Sequence, residues 1–402
     1  MEQSVNPPGT LSISNAELIR WDVVVIGAGV AGSVASREMA RAGKRVLLVD
    51  KRHFPRRKVC GSCLNPVALD MLDQVGLSGA IGELHGPDLH RFTLSCGSQT
   101  VNLPLPGGKA ISREALDAVL VLEAIVAGVD FLPDAIARVG NVNATSREVR
   151  LNQNGRECRL RARAIVVASG LEGLGATQSD EWTTRVGRSS RLGAGCVIDD
   201  AHDDYAVGTI WMAVGTGGYV GLVRIEDGRL NVAAAFDREF LRRHGSPAIA
   251  ARHLLGTTGL RVPEQLSPAE WQGTIPLTRS TTPVASHRVF LIGDAATYVE
   301  PFTGEGMAWA LVTGKNVAPW VGRALAQADW AVDVADGWIR EHRKLVQNRQ
   351  RFCRVSTRLL RSKILIKIGL SALASWPWLA RQLVERLNAP TTHGRLAQEC
   401  KS

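Results

Sequence analysis

Asp22-Val23-Val24-Val25-Ile26-Gly27-Ala28-Gly29-Val30-Ala31-Gly32 is the stretch whose reading decides the fold. Val23 to Ile26 are all β-branched, as expected of a buried parallel strand. Gly27 to Gly32 fit the spacing Gly-x-Gly-x-x-Gly, and Val30 to Ala42 reads as a helix rich in small residues, closed by Gly43. Arg45 to Val49 is a second buried strand, ending at Asp50. Strand, glycine turn, helix and strand within about thirty residues make the first unit of a doubly wound α/β sheet. In such a unit Gly27 permits the tight turn, Gly29 lets the backbone approach a pyrophosphate, and Gly32 lets the helix lie close to the strand. The helix start offers free N–H groups and a positive dipole to the phosphates. Asp50, eighteen residues after Gly32, is placed to accept hydrogen bonds from ribose hydroxyls. The pattern predicts dinucleotide binding and leaves the choice between FAD and NAD open.

Working outward, 402 residues at 45% hydrophobic and 21% charged give a prior of two to three domains, or one composite fold, with a large core. Disorder, collagen and coiled coil are excluded for the chain as a whole. Seven cysteines at irregular spacing suggest reduced thiols in a cytoplasm-like compartment rather than a disulfide framework. The first twenty residues lack the pattern of a signal peptide. The longest apolar candidate, Ile368 to Ala380, is thirteen residues and contains Pro377, short of the ~18 that suggest a membrane-spanning helix. The net charge is +10, and from Val321 onward there are fifteen Lys or Arg against six Asp or Glu. An excess confined to the last fifth of the chain does not mark a nucleic-acid binder.

Ser112 to Ala127 has helical spacing with Ser112 as a start signal, and Ala164 to Ala168 is another short buried strand. Val197 to Phe236 alternates, with turns at Gly215 to Gly218 and a hairpin signal at Asp227-Gly228. Val289 to Ile292 is an apolar strand that delivers Gly293-Asp294, followed by Pro301-Phe302-Thr303-Gly304-Glu305-Gly306-Met307 and a helix to Leu325. A carboxylate there can bind sugar-alcohol hydroxyls. The N–H groups at the following helix start can stabilise negative charge on the pyrimidine ring of a reduced flavin. Taken alone, a Gly-Asp pair is common in turns.

Together, Gly27 to Gly32, Asp50 and Gly293 to Met307 resemble the FAD-binding fingerprints of the para-hydroxybenzoate hydroxylase fold. That superfamily holds single-component aromatic monooxygenases, flavin-dependent halogenases and geranylgeranyl reductases. Lys58-Val59-Cys60-Gly61 resembles the Lys-Pro-Cys-Gly of the last branch, with Val59 in place of Pro. The resemblance spans about residues 20 to 325. It implies an α/β fold with a Rossmann-type FAD-binding domain made of 20–75, 100–170 and 280–325. A β-rich substrate domain would take 76–99 and 171–279, and a helical basic C-terminal region 326–402. It also implies FAD as cofactor, held by Gly27, Gly29, Gly32, Asp50, Lys51, Arg113, Asp294, Gly304, Gly306 and Met307. Asp294 would meet the ribityl chain, Gly304, Gly306 and Met307 the flavin ring, and Cys60 and Tyr219 would be the catalytic candidates. The resemblance also implies NAD(P)H as a transient reductant, and the lack of a second Gly-x-Gly-x-x-Gly fits the hydroxylases of this fold, which bind it without a Rossmann unit of its own.

Three departures qualify the branch. Monooxygenases usually carry Asp-Gly where this chain has Ser169-Gly170. Geranylgeranyl reductases carry Tyr-x-Trp-x-Phe-Pro where this chain has Tyr219-Val220-Gly221-Leu222-Val223. Halogenases carry Trp-x-Trp-x-Ile-Pro, which Trp271-Gln272-Gly273-Thr274-Ile275-Pro276 matches only in part. The expected function is an NAD(P)H-dependent monooxygenase that uses O2 to hydroxylate an apolar or aromatic small molecule. The alternative is a reductase of isoprenoid or polyketide double bonds; a halogenase and a non-enzymatic flavin-binding protein are weaker ones.

Cys60-Gly61-Ser62-Cys63 reads as a turn of small residues or a redox dithiol, and the resemblance implies that Cys60 lies beside the flavin as a positioning or proton-handling group. Without a second such pair no metal site is expected. Trp338 to Lys363 carries nine Lys or Arg against the single acid Glu341, with Leu345, Phe352, Val355 and Leu359 at helical spacing and Trp376 and Trp378 beyond. This tail reads either as a cap with a solvated basic face or as a peripheral membrane contact of a cytoplasmic protein.

Overall fold

The computed structural model describes residues 6–376 apart from 174–180, 201, 301, 303, 328, 329 and 331, together with 378 and 382. Strand β1 (Trp21–Ile26) turns into helix α1 (Val30–Arg41) and returns as β2 (Val46–Val49). Strands β3 (Arg91–Cys96) and β4 (Gln99–Pro104) precede α2 (Arg113–Val126) and β5 (Asp130–Leu132). A hairpin, β6 (Ile136–Val142) and β7 (Arg147–Gln153), leads into the long β8 (Arg156–Val167). Next come β9 (Leu192–Ile198), β10 (Thr209–Gly215), β11 (Gly218–Arg224), β12 (Leu230–Phe236) and β13 (Gln272–Pro276). The chain returns through β14 (Ala285–Ser286), β15 (Val289–Leu291) and the short α3 (Gly293–Ala296). It then continues as α4 (Gly306–Ala326), α5 (Val332–Leu359) and α6 (Lys363–Ser375).

Two sheets organise these elements. The first runs β14-β15-β8-β1-β2-β5, parallel from β15 to β5, with the β6–β7 hairpin carried on the first half of β8. Its alternate faces are both buried. Val23, Val25 and Val166 face α1, α2 and α4, whereas Val24, Leu47 and Val167 face the β6–β7 hairpin. The near-continuous apolar reading of β1 and β2 follows from that double burial. The second sheet, β13-β9-β12-β11-β10-β3-β4, is antiparallel except where β10 meets β3. Its hairpins turn at Gly215 to Gly218 and around Asp227-Gly228, where the sequence signals them.

Two boundaries differ from expectation. The FAD-domain segment expected to begin at residue 100 falls inside β4, which pairs with β3 from Gln99 to Pro104 and so belongs to the second sheet. The strand expected at Ala164 to Ala168 is the end of the twelve-residue β8. Its first half alternates between exposed and buried positions and joins the hairpin instead of the buried centre.

Candidate active site

A single cavity of about 790 Å³ opens along the C-terminal ends of β1 and β2 and continues over one face of the second sheet. Its first arm is built on the glycine turn. Gly27 has φ +106°, and a Cβ there would lie 2.5 Å from the Ala168 carbonyl oxygen, so only glycine fits. Gly29 is the residue before α1, and no side chain caps that helix, which leaves its first N–H groups open to a ligand. Gly32 does not line the cavity; a Cβ on it would fall 1.8 Å from Gly27 O. Its contribution is the close approach of α1 to the turn.

Asp50, at the end of β2, accepts a hydrogen bond from the Ala28 N–H at 2.8 Å and from the Arg52 N–H at 2.9 Å. It is therefore held rigidly at the cavity edge. Lys51 sits at the rim, paired with Glu172. Arg113 is the first residue of α2, whose start is fixed by Ser112 accepting the Ala115 N–H at 3.0 Å. Its guanidinium donates to both oxygens of the fully buried Asp117, at 2.9 and 2.8 Å. Arg56 bridges Asp117 at 3.3 Å and Asp50 at 3.4 Å. Burial opposes the Arg113 charge, but its acidic neighbours, Asp117 foremost, together more than offset it and the pKa rises. Two arginines thus face the open side of Gly29, where a Cβ would reach 3.4 Å from Arg113 Nη2.

The opposite wall comes from the second cofactor segment. Asp294 lies in α3, whose Gly293 N–H donates to Thr313 Oγ1 of α4 at 3.0 Å. Gly314 packs α4 on α1, since a Cβ there would lie 2.6 Å from Ala31 O. Gly304 has φ +72° with open space around its missing side chain. Gly306 begins α4, and both Gly306 and the buried Met307 line the cavity. Pro301 and Thr303 lie outside the described residues. Lys58 Nζ stands 3.7 Å from Asp294 Oδ2. Burial and the nearby Arg113 lower its pKa, against the pull of Asp294.

Cys60, on the loop that carries Lys58, faces the cavity where the two arms meet. Cys63 donates its thiol to Gly61 O at 3.0 Å, and burial, then Cys60, push its pKa up. A thiol held protonated is a poor partner for disulfide exchange. Beyond Cys60 the described lining is uncharged: Phe92, Leu94, Leu103, Met212, Tyr298, Phe302 and their neighbours. Tyr219 forms part of this wall, its ring edge-on to Phe302 at 5.2 Å. Behind it the buried pair Arg191 and Glu300 meet at 2.9 Å, and the Arg191 guanidinium lies 5.6 Å from the centre of the Tyr219 ring. Burial first, then the Glu300 charge, hold the phenol proton firmly. Trp271 turns away, donating its indole N–H to Leu266 O at 3.0 Å. The arrangement brings every expected cofactor residue except Gly32 to the cavity lining. Sequence reasoning did not single out Arg56, which carries no local motif, or the pairing of Lys58 with Asp294.

An uncapped helix start beside two arginines, carboxylates on both walls and an open glycine at the start of α4 suit the pyrophosphate, sugar alcohols and ring of FAD. The fold and site define a flavoprotein oxidoreductase of the para-hydroxybenzoate hydroxylase superfamily. A family model described as an FAD binding domain matches residues 20–329, and the chain belongs to that family. The menaquinone reductase of Mycobacterium tuberculosis is 30% identical, over 74% of this chain and 75% of that one. The digeranylgeranylglycerophospholipid reductase of Thermoplasma acidophilum is 23% identical, over 82% of this chain and 84% of that one. Among solved structures, a flavoprotein/dehydrogenase from Cytophaga hutchinsonii superposes with a TM-score of 0.78 at 19% identity, covering 91% and 92% of the two chains. The flavin-dependent brominase Bmp2 superposes with a TM-score of 0.76 at 17% identity, covering 92% and 94%. At those identities the two structures speak for the fold alone.

Proposed function

We propose that this FAD-dependent oxidoreductase is a reductase that saturates a carbon–carbon double bond in a long isoprenoid-type chain. The observation that carries the reading is the split of charge along the cavity. Among the described residues, every charged one that lines it, from Asp50 to Asp294, belongs to the arm built on the first sheet and its loops, and the arm over the second sheet has none. A substrate seated there brings no carboxylate or phosphate into the arm. The relatives are named for menaquinone and for a digeranylgeranyl lipid, both of which carry isoprenoid chains.

In this reading Gly29, Arg113 and Arg56 hold the pyrophosphate, Asp50 and Asp294 the sugar alcohols, and the start of α4 the ring. When bound and reduced, FAD would supply the hydride that these side chains lack, with NAD(P)H as the proposed source of electrons. The apolar arm excludes water and aligns the double bond near the junction of the arms. In the same reading Cys60, which lines the cavity, delivers the proton from its thiol. Tyr219 shapes the wall, and burial together with the Glu300 charge keeps the proton on its phenol.

Hydroxylation with O2, expected from the sequence, is the second reading, because the same uncharged arm would shield oxygen chemistry from water equally well. The two readings separate in the absence of oxygen. Enzyme reduced anaerobically is mixed with a polyprenyl quinone, and flavin reoxidation is followed. Reoxidation accompanied by the gain of two hydrogens at a chain double bond supports the reductase, whereas reoxidation matched only by reduction of the quinone head counts against it; substrate consumption that stops without oxygen supports the hydroxylase.

A further inference from the structure

α6 is apolar on two sides. Its inner side is accounted for: Ile366 and Leu370 are buried in the core beside β4, and Leu373 lines the uncharged arm of the cavity. Gln99 Nε2 donates to Ser371 Oγ at 3.1 Å and ties the helix to that strand. Its outer side is exposed among the described residues. Ile364 is 71% exposed and Ile368 60%, and Trp376 and Trp378 beyond the helix are 53% and 60% exposed. Val355 and Leu359, in the last turns of α5, and Leu365 extend the same stretch. These seven residues fall within positions 355–378 and are seven of the sixteen large apolar side chains exposed among the described residues. Apolar surface gathered in this way marks a contact with something else.

Charge identifies the occupant. No Asp or Glu occurs between Glu341 and Glu385, whereas ten Lys or Arg do. Arg351, Arg354, Arg358 and Lys367 are exposed among the apolar residues. A second copy of this chain meeting the face across a two-fold axis would set this cationic strip against itself. An anionic lipid surface satisfies both features, taking the apolar side chains and tryptophans at the level of its headgroups and pairing with the cations. None of the described helices is long and apolar enough to cross a membrane. The thirteen residues of α6 reach about 20 Å, against a hydrocarbon thickness of about 30 Å. The mode is therefore surface docking.

We propose that the outer face of α6, with the end of α5 and the tryptophans that follow, seats the protein on an anionic bilayer. The same helix then lies between the lipid and the apolar end of the cavity, so a lipid-borne chain has a short path to the site. The docking rests on this face alone, and its test involves no turnover, so its outcome is separable from the reaction assigned above.

The test is co-sedimentation of the full FAD-loaded chain with phosphatidylcholine vesicles, with and without phosphatidylglycerol. Wild type should pellet with the anionic vesicles and be released by high salt. Arg351→Gln/Arg358→Gln/Lys367→Gln and, separately, Ile364→Ser/Ile368→Ser should each bind at least about tenfold more weakly. All these side chains are exposed, and unchanged flavin content and melting confirm the fold of each variant. Brominated lipid should quench wild-type tryptophan fluorescence and lose that effect in Trp376→Phe/Trp378→Phe. Equal pelleting of wild type and both variants would overturn the proposal. So would a wild type that ignores vesicles but forms dimers that Ile364→Ser/Ile368→Ser abolishes.

Discussion

Lys58 Nζ and Asp294 Oδ2 stand 3.7 Å apart and join the loop after β2 to α3 across the cofactor arm of the cavity. The pair brings a cation to the wall where the sequence signals only an acid. Asp294→Ala removes the carboxylate proposed to hold the ribityl chain and leaves Lys58 facing Arg113 without its counter-charge. Charged hydrogen bonds of this kind contribute about 1.5–3 kcal/mol, so FAD affinity should fall by roughly tenfold to a hundredfold. Fluorescence titration of apoprotein with FAD measures this, and an unchanged Kd would remove Asp294 from the binding set.

Gly29→Ala and Gly32→Ala should fail in different ways. At Gly29 the new methyl enters the open space before Arg113, so the apoprotein should keep its melting temperature while FAD binding weakens. At Gly32 it meets Gly27 O at 1.8 Å, so the apoprotein itself should be destabilised, by an overpacking cost of about 1–3 kcal/mol. Equal melting of the two apo variants would contradict the division of labour between the glycines.

The features legible in the sequence are those that the backbone imposes locally. Gly27 is required by its own φ, Asp50 by its place at a strand end, and Asp227-Gly228 by a two-stranded turn, and each leaves a short signature. The features that escaped depend on residues meeting across the fold. Arg191 and Glu300 are 109 positions apart, and neither has a motif around it. Gly314 looks like an ordinary glycine in a helix until α1 is laid against it. The first half of β8 is polar on its exposed side, so apolar runs reveal only its buried end. The break between α5 and α6 at Leu360 to Ser362 lies inside what reads as one basic helical stretch.

Arg191 and Glu300 form a nearly inaccessible ion pair beside Tyr219, with side chains 1% and 2% exposed. Burial raises the Glu300 pKa, and Arg191 pulls it back down. Removing one partner leaves a buried charge, at a cost of about 3–5 kcal/mol. Arg191→Met should therefore lower stability in denaturant by that order, and the double variant Arg191→Met/Glu300→Met should recover much of it. A loss in the double variant equal to the sum of the single losses would show that the two residues do not act as a pair.

His342 on α5 is 4% exposed, lies against Trp338, and has no hydrogen-bond partner at Nε2 among the described residues. Burial pushes its pKa down to about 4 from 6.5. The folded protein thus disfavours the charged ring that the unfolded chain accepts. Stability should be complete above pH 6.5 and decline as pH falls towards 4. The whole shift amounts to about 3 kcal/mol. The stability difference between wild type and His342→Gln should change by that order across the window, as read by denaturant melts. Parallel curves for the two proteins would sink the assignment.

The central claim is that the enzyme adds hydrogen, and not oxygen, to an apolar chain. Its most direct measurement is the mass of the product formed from a polyprenyl quinone with NAD(P)H, run once without oxygen and once under isotopically labelled O2. The account predicts the same product in both, with two hydrogens gained at a chain double bond and no label. A product that carries labelled oxygen and fails to form without it would contradict the account and assign the site to hydroxylation.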